Sequence, residues 1–301
     1  MGFMEKQERF FSNDTGDAAI TVYEVFPGVE LAYYTIHMDQ LDLDTGEENL
    51  IEIHHCREGR IEQQFENEYF YLMPGDLSVT MRRKQADVFR FPLQHYHGIN
   101  IRINPALASS RVSPILREIQ VQPQETARKL CGDKDAFIVR SEQYIEHIFS
   151  ELYHVPECIR EGYFKVKVLE LLLVLSSLDL EERRISVPTL PKSQVHLANQ
   201  AAAYLSENMG ERITIAELSR RFNVSDTHLK SVFKAVYGVP IFSYMRIQRM
   251  QSAAQLLIHT ERSIGEIACE FGYANAGKFT VAFQKIMGDN PSDYRQAHKK
   301  Y

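Results

Sequence analysis

The sequence predicts a multidomain α and β protein, with a β-rich N-terminal half and an all-α C-terminal half. Short alternating runs recur over residues 1–105, helical apolar spacing begins near Ser113, and one helix-turn-helix pattern occurs twice between Thr214 and Arg295. A length of 301 residues fits two domains, and 44% hydrophobic and 25% charged residues are ordinary for a globular protein. An all-β segment followed by an all-α segment indicates separate domains, not a doubly wound sheet.

The strongest signal is the repeat in the C-terminal half. Its first copy runs from Thr214 to Gly238 and its second from Ser263 to Gly288. A repeat of a whole supersecondary unit predicts a protein that contacts two places on DNA. The paired positions are Ile215 and Ile264, Ala216 and Gly265, Leu218 and Ile267, and Phe222 and Phe271 at an offset of 49, then Leu229 and Phe279, Phe233 and Phe283, Gly238 and Gly288, and Tyr244 and Tyr294 at an offset of 50.

Residues 1–105 show the pattern of a β-rich domain. Short alternating or β-branched runs recur there, among them AITVYEVF, NLIEIHHC and HGINIRI. Turn signals separate these runs, and many short strands at this spacing predict a barrel or a sandwich. The turn dipeptides are Pro27-Gly28, Thr45-Gly46, Glu58-Gly59 and Pro74-Gly75.

The pattern becomes helical from Ser113 onwards. The segment SEQYIEHIFSELYHV places Ile145, Ile148, Phe149 and Leu152 on one apolar stripe, and Pro156 ends it. The next segment, EGYFKVKVLELLLVLSSLDL, is apolar enough to need cover on more than one side. That cover is either the protein's own core or a second subunit, and the sequence leaves both open. The candidate dimerisation residues are Leu169, Leu172 and Leu173.

Helix-start signals precede both copies of the repeat. Thr214 is followed three residues later by Glu217, and Ser263 by Glu266, which is the spacing of a capping box. After Pro240, a segment of about 20 residues predicts one bridging helix about 30 Å long. A last helix is predicted in PSDYRQAHKK.

The predicted linker lies between the two halves. Residues 181–194 carry charge and two prolines without an apolar period, as linkers do. The predicted division is 1–112 for the β-domain, 113–180 for a helical dimerisation segment, 181–194 for the linker and 195–301 for the DNA-binding domain, with helix-turn-helix units at about 214–234 and about 263–285.

The charge is distributed unevenly along the chain. Residues 195–301 hold 13 Lys and Arg against 9 Asp and Glu, a balance of +4, whereas the first 194 residues hold 21 against 31, a balance of −10. The overall charge of −6 therefore hides a basic half that carries the repeat. Because phosphate neutralisation is local, this asymmetry fits DNA binding by one part of the chain.

Composition also argues against several other classes of protein. The four cysteines are scattered without CxxC spacing, which disfavours a disulfide framework and a zinc site. The N-terminus MGFMEKQERFF lacks an apolar signal region, and no apolar run reaches membrane-spanning length. We therefore expect a cytoplasmic protein with no membrane partner.

The second helix of each copy presents a polar N-terminal face suited to a major groove. In the first copy, Thr227, Lys230 and Ser231 are the candidates for base edges, Lys234 for phosphate, and Asp226 for support of the helix N-terminus. A purely structural three-helix unit is the alternative, which a second copy at a fixed offset disfavours. The candidate DNA-binding residues are Ser225, Asp226, Thr227, His228, Lys230, Ser231 and Lys234, followed by Asn275, Ala276, Gly277, Lys278, Val281 and Lys285.

The C-terminal domain resembles the DNA-binding domain of the AraC/XylS family of transcriptional regulators. The resemblance is carried by IAELSRRFNVSDTHLKSVFKAVYGVPIFSYMRIQRMQSAAQLL and SIGEIACEFGYANAGKFTVAFQKIMGDNPSDYR. It implies recognition helices that start at Ser225 and near Asn275, and a regulator that is more often an activator. The signature positions are Ile267-Ala268, Gly272-Tyr273, Phe279, Phe283, Gly288, Pro291 and Tyr294-Arg295.

The second copy departs from a polar reading face. Gly277 and Val281 cannot read bases through hydrogen bonds, although a small or apolar residue can contact a thymine methyl. We therefore predict that the first unit supplies most base specificity. The second is expected to position the domain through Asn275, Lys278 and Lys285.

The N-terminal segment resembles the cupin-like effector domain of the same family, a β-barrel followed by a helical dimerisation element. The resemblance rests on Glu52 to Gly59 and on Pro74-Gly75-Asp76. No His-x-His precedes Glu52 and no His follows Gly75 at the cupin distance, so we predict neither a metal site nor a cofactor. Strand alternation leaves open whether Ile51 and Ile53 or Glu52 point inward. The candidate effector-binding residues are Glu52, His54, Cys56, Tyr71, His95 and His97, with surface or core histidines as the alternative.

The leading prediction is a sequence-specific DNA-binding transcriptional regulator, an effector-responsive activator without enzymatic activity. One alternative is a constitutive dimeric regulator without an effector, and the other is a cupin-type enzyme fused to a DNA-targeting module. The chain contains no nucleophile elbow or Gly-rich phosphate loop to support the enzyme. The predicted partners are double-stranded promoter DNA, a small-molecule effector, RNA polymerase and a second copy of the chain in a homodimer.

Overall fold

The computed structural model describes residues 5–44, 49–65, 68–82, 86–108, 118, 121–132, 136–140, 142–178, 189–211 and 213–298. The chain divides into two compact units, Met1–Leu190 and Pro191–Tyr301. The helix predicted to start at Ser113 and most of the predicted linker lie outside the described residues. None of the helices within these ranges has the length and apolarity needed to cross a membrane.

The first unit is built on two antiparallel sheets, which confirms the predicted β-rich N-terminal half. The first sheet has the strand order β1-β2-β3-β10-β5-β8-β11, and the second includes the order β7-β6-β9-β4. The strands are β1 Lys6–Asn13, β2 Gly16–Phe26, β3 Val29–His37, β4 Gln40–Asp44, β5 Leu50–Gly59, β6 Ile61–Phe65, β7 Glu68–Leu72, β8 Leu77–Arg82, β9 Ala86–Arg90, β10 Tyr96–Ile103, β11 Ala136–Val139 and β12 Leu190–Pro191.

The segment predicted to be helical over 113–180 is interrupted by a strand. Strand β11 pairs antiparallel with β8, with Phe137 opposite Val79. Its sequence, Ala-Phe-Ile-Val, is a short apolar run without helical period, and it extends the edge of the first sheet. The helices of this unit are α1 Pro105–Ala108, α2 Pro123–Cys131, α3 Gln143–Leu152 and α4 Arg160–Ser177.

Strand β5 is buried on both faces, which answers the question that alternation left open. Ile51 and Ile53 belong to the core shared with α3 and α4. Glu52 and His54 are equally buried on the opposite face, which they share with Cys56 of the core between the two sheets. Ile51 and Ile53 therefore face the helices, and Glu52 faces the second sheet. Both sides of the strand point into a core.

Helix α3 buries the apolar stripe that its spacing predicts. Ile145, Ile148, Phe149 and Leu152 are all buried against the first sheet. The ring of Phe149 stacks on the His55 imidazole with centroids 4.1 Å apart. Burial lowers the pKa of His55 to about 4, so the imidazole is neutral at neutral pH.

The leucines of helix α4 differ in exposure, which distinguishes those that can face another subunit from those in the core. Leu172 is only 2% exposed and lies in the core, so its assignment to a subunit contact is corrected. Leu173 is 46% exposed, and Leu169 packs on the core while partly buried. The sequence could not separate these neighbours, because the helix buries its stripe against the sheet and the rotation of that stripe depends on tertiary packing.

The described elements of the second unit that follow Pro191 are helices. Its helices are α5 Lys192–Glu207, α6 Ile215–Arg221, α7 Asp226–Tyr237, α8 Ile241–His259, α9 Ile264–Glu270, α10 Ala276–Met287 and α11 Pro291–His298. The predicted bridge between the repeats is α8, a helix of 19 residues that follows Pro240. Its residues Met250, Ala253 and Leu257 pack with Ile267 of α9 and with the α10 phenylalanines.

Candidate DNA interface

Both helix-turn-helix units begin with a capping box, as their spacing predicts. The Thr214 amide donates to the Glu217 carboxylate at 2.7 Å, and the Glu217 amide donates back to the Thr214 hydroxyl at 3.3 Å. Ser263 and Glu266 make the same exchange at 2.7 and 3.2 Å. Two amides without helical partners are satisfied in each unit, which fixes where the first helix starts.

The turn of each unit passes through the left-handed region at one residue. Asn223 has φ 53° and Gly272 has φ 76°, and these are residue types that tolerate this conformation. The next amide then returns to the first helix, which closes both turns in the same way. These hydrogen bonds run from Val224 to the Ser219 carbonyl at 3.0 Å and from Tyr273 to the Ala268 carbonyl at 2.9 Å.

The second turn is one residue longer than the first. Ser225 follows Val224 directly and is the N-cap of α7, whereas Ala274 stands between Tyr273 and the N-cap Asn275. This insertion explains why the repeat offset changes from 49 to 50. Residues 226–237 of the first recognition helix therefore correspond to residues 276–287 of the second.

Each recognition helix buries one apolar stripe and exposes the opposite face. Leu229 and Phe233 of α7, and Phe279 and Phe283 of α10, are fully buried. Every residue predicted to contact DNA in the two units is exposed. Thr227, Lys230, Ser231 and Lys234 fall at i, i+3, i+4 and i+7, and so form one stripe along α7.

The corresponding face of α10 is chemically different. It carries Gly277, Thr280, Val281 and Gln284 in place of the α7 stripe. The Thr280 hydroxyl donates to the Ala276 carbonyl at 2.8 Å, within its own helix. Val281 is 70% exposed, so its side chain lies on the solvent-facing side of the helix.

Three of the predicted contact residues also shape the helices themselves. Ser225 accepts the His228 amide at 3.2 Å, and Asn275 accepts the Lys278 amide at 2.9 Å. The Ser219 hydroxyl of α6 donates a short hydrogen bond to the Asp226 carboxylate of α7. Asp226 therefore joins the two helices of the first unit, and its charge suits the positive end of α7.

Two arginines donate hydrogen bonds to backbone carbonyls that precede the two helix-turn-helix units. The sequence did not predict this role. Arg249 donates from Nε to the Met209 carbonyl at 2.9 Å and from Nη2 to the Glu211 carbonyl at 3.2 Å. Arg295 donates from Nε to the Leu257 carbonyl at 3.0 Å and from Nη2 to the Arg262 carbonyl at 2.5 Å. Arg295 belongs to the signature positions, whereas nothing in the local sequence distinguishes Arg249.

The family described as a helix-turn-helix domain matches residues 218–297, which span both recognition helices. Residues 218–297 are therefore an AraC-type helix-turn-helix domain.

Two named relatives are similar to parts of this chain. The bifunctional transcriptional activator/DNA repair enzyme AdaA of Bacillus subtilis is 33% identical over 96 residues, which are 32% of this chain and 46% of that protein. The transcriptional activator RhaR of Klebsiella pneumoniae is 29% identical over 150 residues, 50% of this chain and 53% of that protein. The chain thus spans about half the length of each relative.

The chain is also similar to solved structures, one of which is described as a C-terminal domain. The C-terminal domain of AraT, a response regulator from Geobacillus stearothermophilus, shares 30% identity and covers 35% of this chain and 88% of that one, with a TM-score of 0.33.

The first unit does not bring the six candidate effector residues together. Glu52, His54 and Cys56 share the face between the sheets. His97 lies on the same side of β10 as Ile99, which belongs to the core shared with the helices, and His95 precedes this strand. The sequence alone does not show which side of the sheet each strand residue faces, so it could not separate these six residues.

Tyr71 lies in a separate buried cluster. Its hydroxyl donates to the Glu62 carboxylate at 2.6 Å, and its ring lies 5.0 Å from the Arg60 guanidinium. Burial raises the pKa of Glu62 and lowers the pKa of Arg60 to about 10. Tyr71 is therefore held by Glu62 and Arg60.

A row of polar side chains crosses the face between the sheets. Asn100 of β10 and Ser78 of β8 both stand opposite His54 of β5, and both are 0% exposed. His54 Nε2 lies 3.5 Å from the Glu52 carboxylate. Ser78 Oγ and Asn100 Oδ1 are buried atoms with no hydrogen-bond partner in the described part of the chain. Burial without a partner costs each group about 1–3 kcal/mol, so these atoms are candidates for ligand contacts.

We predict opposite effects from two glycine substitutions in the AraC-type domain. Gly272→Ala should lower the free energy of unfolding by about 1 kcal/mol, because φ 76° disfavours any Cβ although the surrounding space is open. Gly265→Ala, in helix α9, should raise it by about 0.5 kcal/mol. Urea denaturation followed by helix content measures both. Equal effects of the two variants would show that backbone conformation does not set the turn.

Proposed function

We propose that the chain is a sequence-specific DNA-binding transcriptional regulator, an activator whose AraC-type domain contacts two successive major-groove segments. The observation that carries this proposal is the pair of helices α7 and α10, each held by a capped helix-turn-helix and each exposing the face opposite its apolar stripe. Activation is supported by the names of relatives such as RhaR and the lactose operon transcription activator of Staphylococcus xylosus.

The two recognition helices have different tasks in this proposal. Thr227, Lys230 and Ser231 of α7 offer donors and acceptors to base edges. The α10 face offers Val281 for a thymine methyl, while Lys278 and Lys285 neutralise phosphates. The first unit reads the sequence and the second holds the domain in register.

Substitutions in the two units should therefore have different signatures. Thr227→Ala or Ser231→Ala should cost about 1–3 kcal/mol of binding and relax base preference in one half of the site. Lys285→Ala should weaken all sequences similarly and reduce the slope of log affinity against log salt by about 1. Arg9→Ala, on an exposed strand of the first unit, is the charge control.

Fluorescence anisotropy with a set of base-substituted duplexes measures both effects. Equal losses of base preference for α7 and α10 variants would reject the division of tasks. No preference for any duplex would reject sequence-specific binding itself.

We also propose that the β-rich unit is a cupin-like effector domain that binds a small polar molecule between its sheets. The proposal is supported by the buried atoms Ser78 Oγ and Asn100 Oδ1 next to the His54–Glu52 pair. A ligand that binds two states of the chain with different affinity shifts the balance between them. The AdaA alignment gives no support to an enzyme, because it covers the helix-turn-helix region.

The effector proposal predicts a response that depends on the interior row. A small-molecule cell extract should change the DNA affinity of the wild-type chain. Asn100→Leu should abolish that change and leave the affinity without extract within about twofold, since the substitution is confined to the first unit. Ser12→Ala on an exposed strand should respond as the wild type does. A wild-type chain that ignores the extract would support the constitutive alternative.

A homodimer through α4 is the third part of the proposal. Val166 and Leu173 are 59% and 46% exposed, and their i, i+7 spacing puts them on one side of the helix. Partly buried Leu169 lies between them on α4. The same apolar side on a second copy would make a self-complementary contact. RNA polymerase is a further proposed partner, in line with an activator.

The dimer proposal predicts different outcomes for neighbouring leucines. Val166→Glu combined with Leu173→Glu should convert a dimer to a monomer in sedimentation equilibrium while the thermal unfolding of the β-rich unit is kept. Leu172→Ala should instead lower the free energy of unfolding by about 2–5 kcal/mol, because it opens a cavity in the core. A double variant that stays dimeric would exclude α4 as the contact.

A further inference from the structure

Three histidines from two distant segments of the sequence lie together at one end of the first sheet. His37 ends β3, and the pairing of β3 with β10 sets His97 opposite Thr35 and Tyr96 opposite Ile36, which brings His95 beside His37. The ring centroids lie 5.3 Å apart for His37 and His95, 5.4 Å for His37 and His97, and 4.7 Å for His95 and His97.

The imidazole nitrogens of this cluster have the spacing of metal ligands. One nitrogen from each of the three side chains lies within 4.8 Å of the others. His37 Nδ1 and His95 Nδ1 are 3.4 Å apart. A tetrahedral zinc ion with Zn–N distances of about 2.0–2.1 Å needs about 3.4 Å between its nitrogen ligands. One pair already has this separation, and the third nitrogen is reached by side-chain rotation at a partly exposed site.

The backbone around the cluster is fixed in place. Gly59 has φ 80°, and a Cβ at this position would lie 1.9 Å from the His95 carbonyl oxygen. The glycine therefore lets the end of β5 lie directly against His95. A β-bulge between His97 and Gly98 adjusts the same strand pair, and bulges often re-aim side chains.

The Glu58 carboxylate lies close to the imidazole rings of His95 and His97. Glu58 Oε2 lies 3.6 Å from His95 Nε2 and 3.8 Å from His97 Nδ1. The other nitrogen of His97, Nε2, is buried and has no hydrogen-bond partner among the residues that the structure describes. This arrangement resembles a metal-ligand histidine, which coordinates through one nitrogen and turns the other towards a carboxylate.

We propose that His37, His95 and His97 bind one divalent transition-metal ion of the Zn²⁺ type, with Glu58 orienting the imidazoles. Imidazole donors suit zinc, nickel and copper, whereas calcium and magnesium need oxygen ligands. Three protein ligands leave one coordination position for water or a small ligand. His97 lies on the side of β10 opposite Asn100, so this site is separate from the interior row of His54, Ser78 and Asn100.

The proposal does not rest on the proposed function, because the site is defined by the β-rich unit alone. The competing interpretation is a hydrogen bond between His37 and His95 with no metal, since the 3.4 Å separation permits one in a suitable tautomer pair. The sequence alone gave no sign of the site, because 58 residues separate His37 from His95.

The test is metal titration of the full-length chain after chelator treatment and buffer exchange. Calorimetry with Zn²⁺ should give one ion per chain. The Co²⁺-loaded chain should show d–d absorption without a thiolate charge-transfer band, because no cysteine belongs to the cluster. His95→Ala and His97→Ala should weaken Zn²⁺ binding at least about 100-fold, and Glu58→Gln about 10- to 100-fold.

Matched controls separate this cluster from adventitious metal ligands. His196→Ala, an exposed histidine on α5, and Cys158→Ser, an exposed thiol, should bind Zn²⁺ as the wild type does. Circular dichroism confirms that each variant is folded, and His95→Gln provides a second variant if His95→Ala is not. Zn²⁺ affinity that survives in the folded His95 and His97 variants, a thiolate band, or no binding by the wild type overturns the proposal.

Discussion

The C-terminal unit depends on one constraint: each recognition helix must bury its apolar stripe while its opposite face stays in solvent. Phe233 and Phe283 are fully buried, and their helices can turn only one way around them. Capping boxes and left-handed turn residues then set where each helix starts. The stripes that we propose to contact DNA are the faces that this packing leaves in solvent.

The two halves of the repeat share this scaffold and differ where it does not constrain them. The turn at Ala274 is one residue longer, yet Phe279 is buried just as Leu229 is. The exposed positions differ more between the two copies: Ser231 corresponds to Val281, and Thr227 corresponds to Gly277. Core positions are held by packing density, whereas surface positions are free to follow the surface they contact. A duplicated fold therefore does not require a duplicated task.

Features set by local sequence were predictable, and those set by long-range pairing were not. The capping boxes at Thr214 and Ser263, the α3 stripe and the bridge after Pro240 all follow from spacing within one element. Leu172 and Leu173 could not be separated, because their exposure depends on how α4 rests on a sheet built elsewhere in the sequence. The clustering of His37 with His95 is likewise a matter of strand register. The six candidate effector residues lie in different parts of the unit for the same reason: alternation defines two faces of a strand but does not determine the neighbours on each face.

We propose that one chain contacts two major-groove segments through α7 and α10. Hydroxyl-radical footprinting of the full-length chain on a bound duplex tests it most directly, together with the same experiment on Lys278→Ala/Lys285→Ala. We expect two protected segments about one helical turn, or about 34 Å, apart for each bound AraC-type domain, with the double variant losing protection in one of them. A single protected segment, unchanged in the double variant, would contradict it.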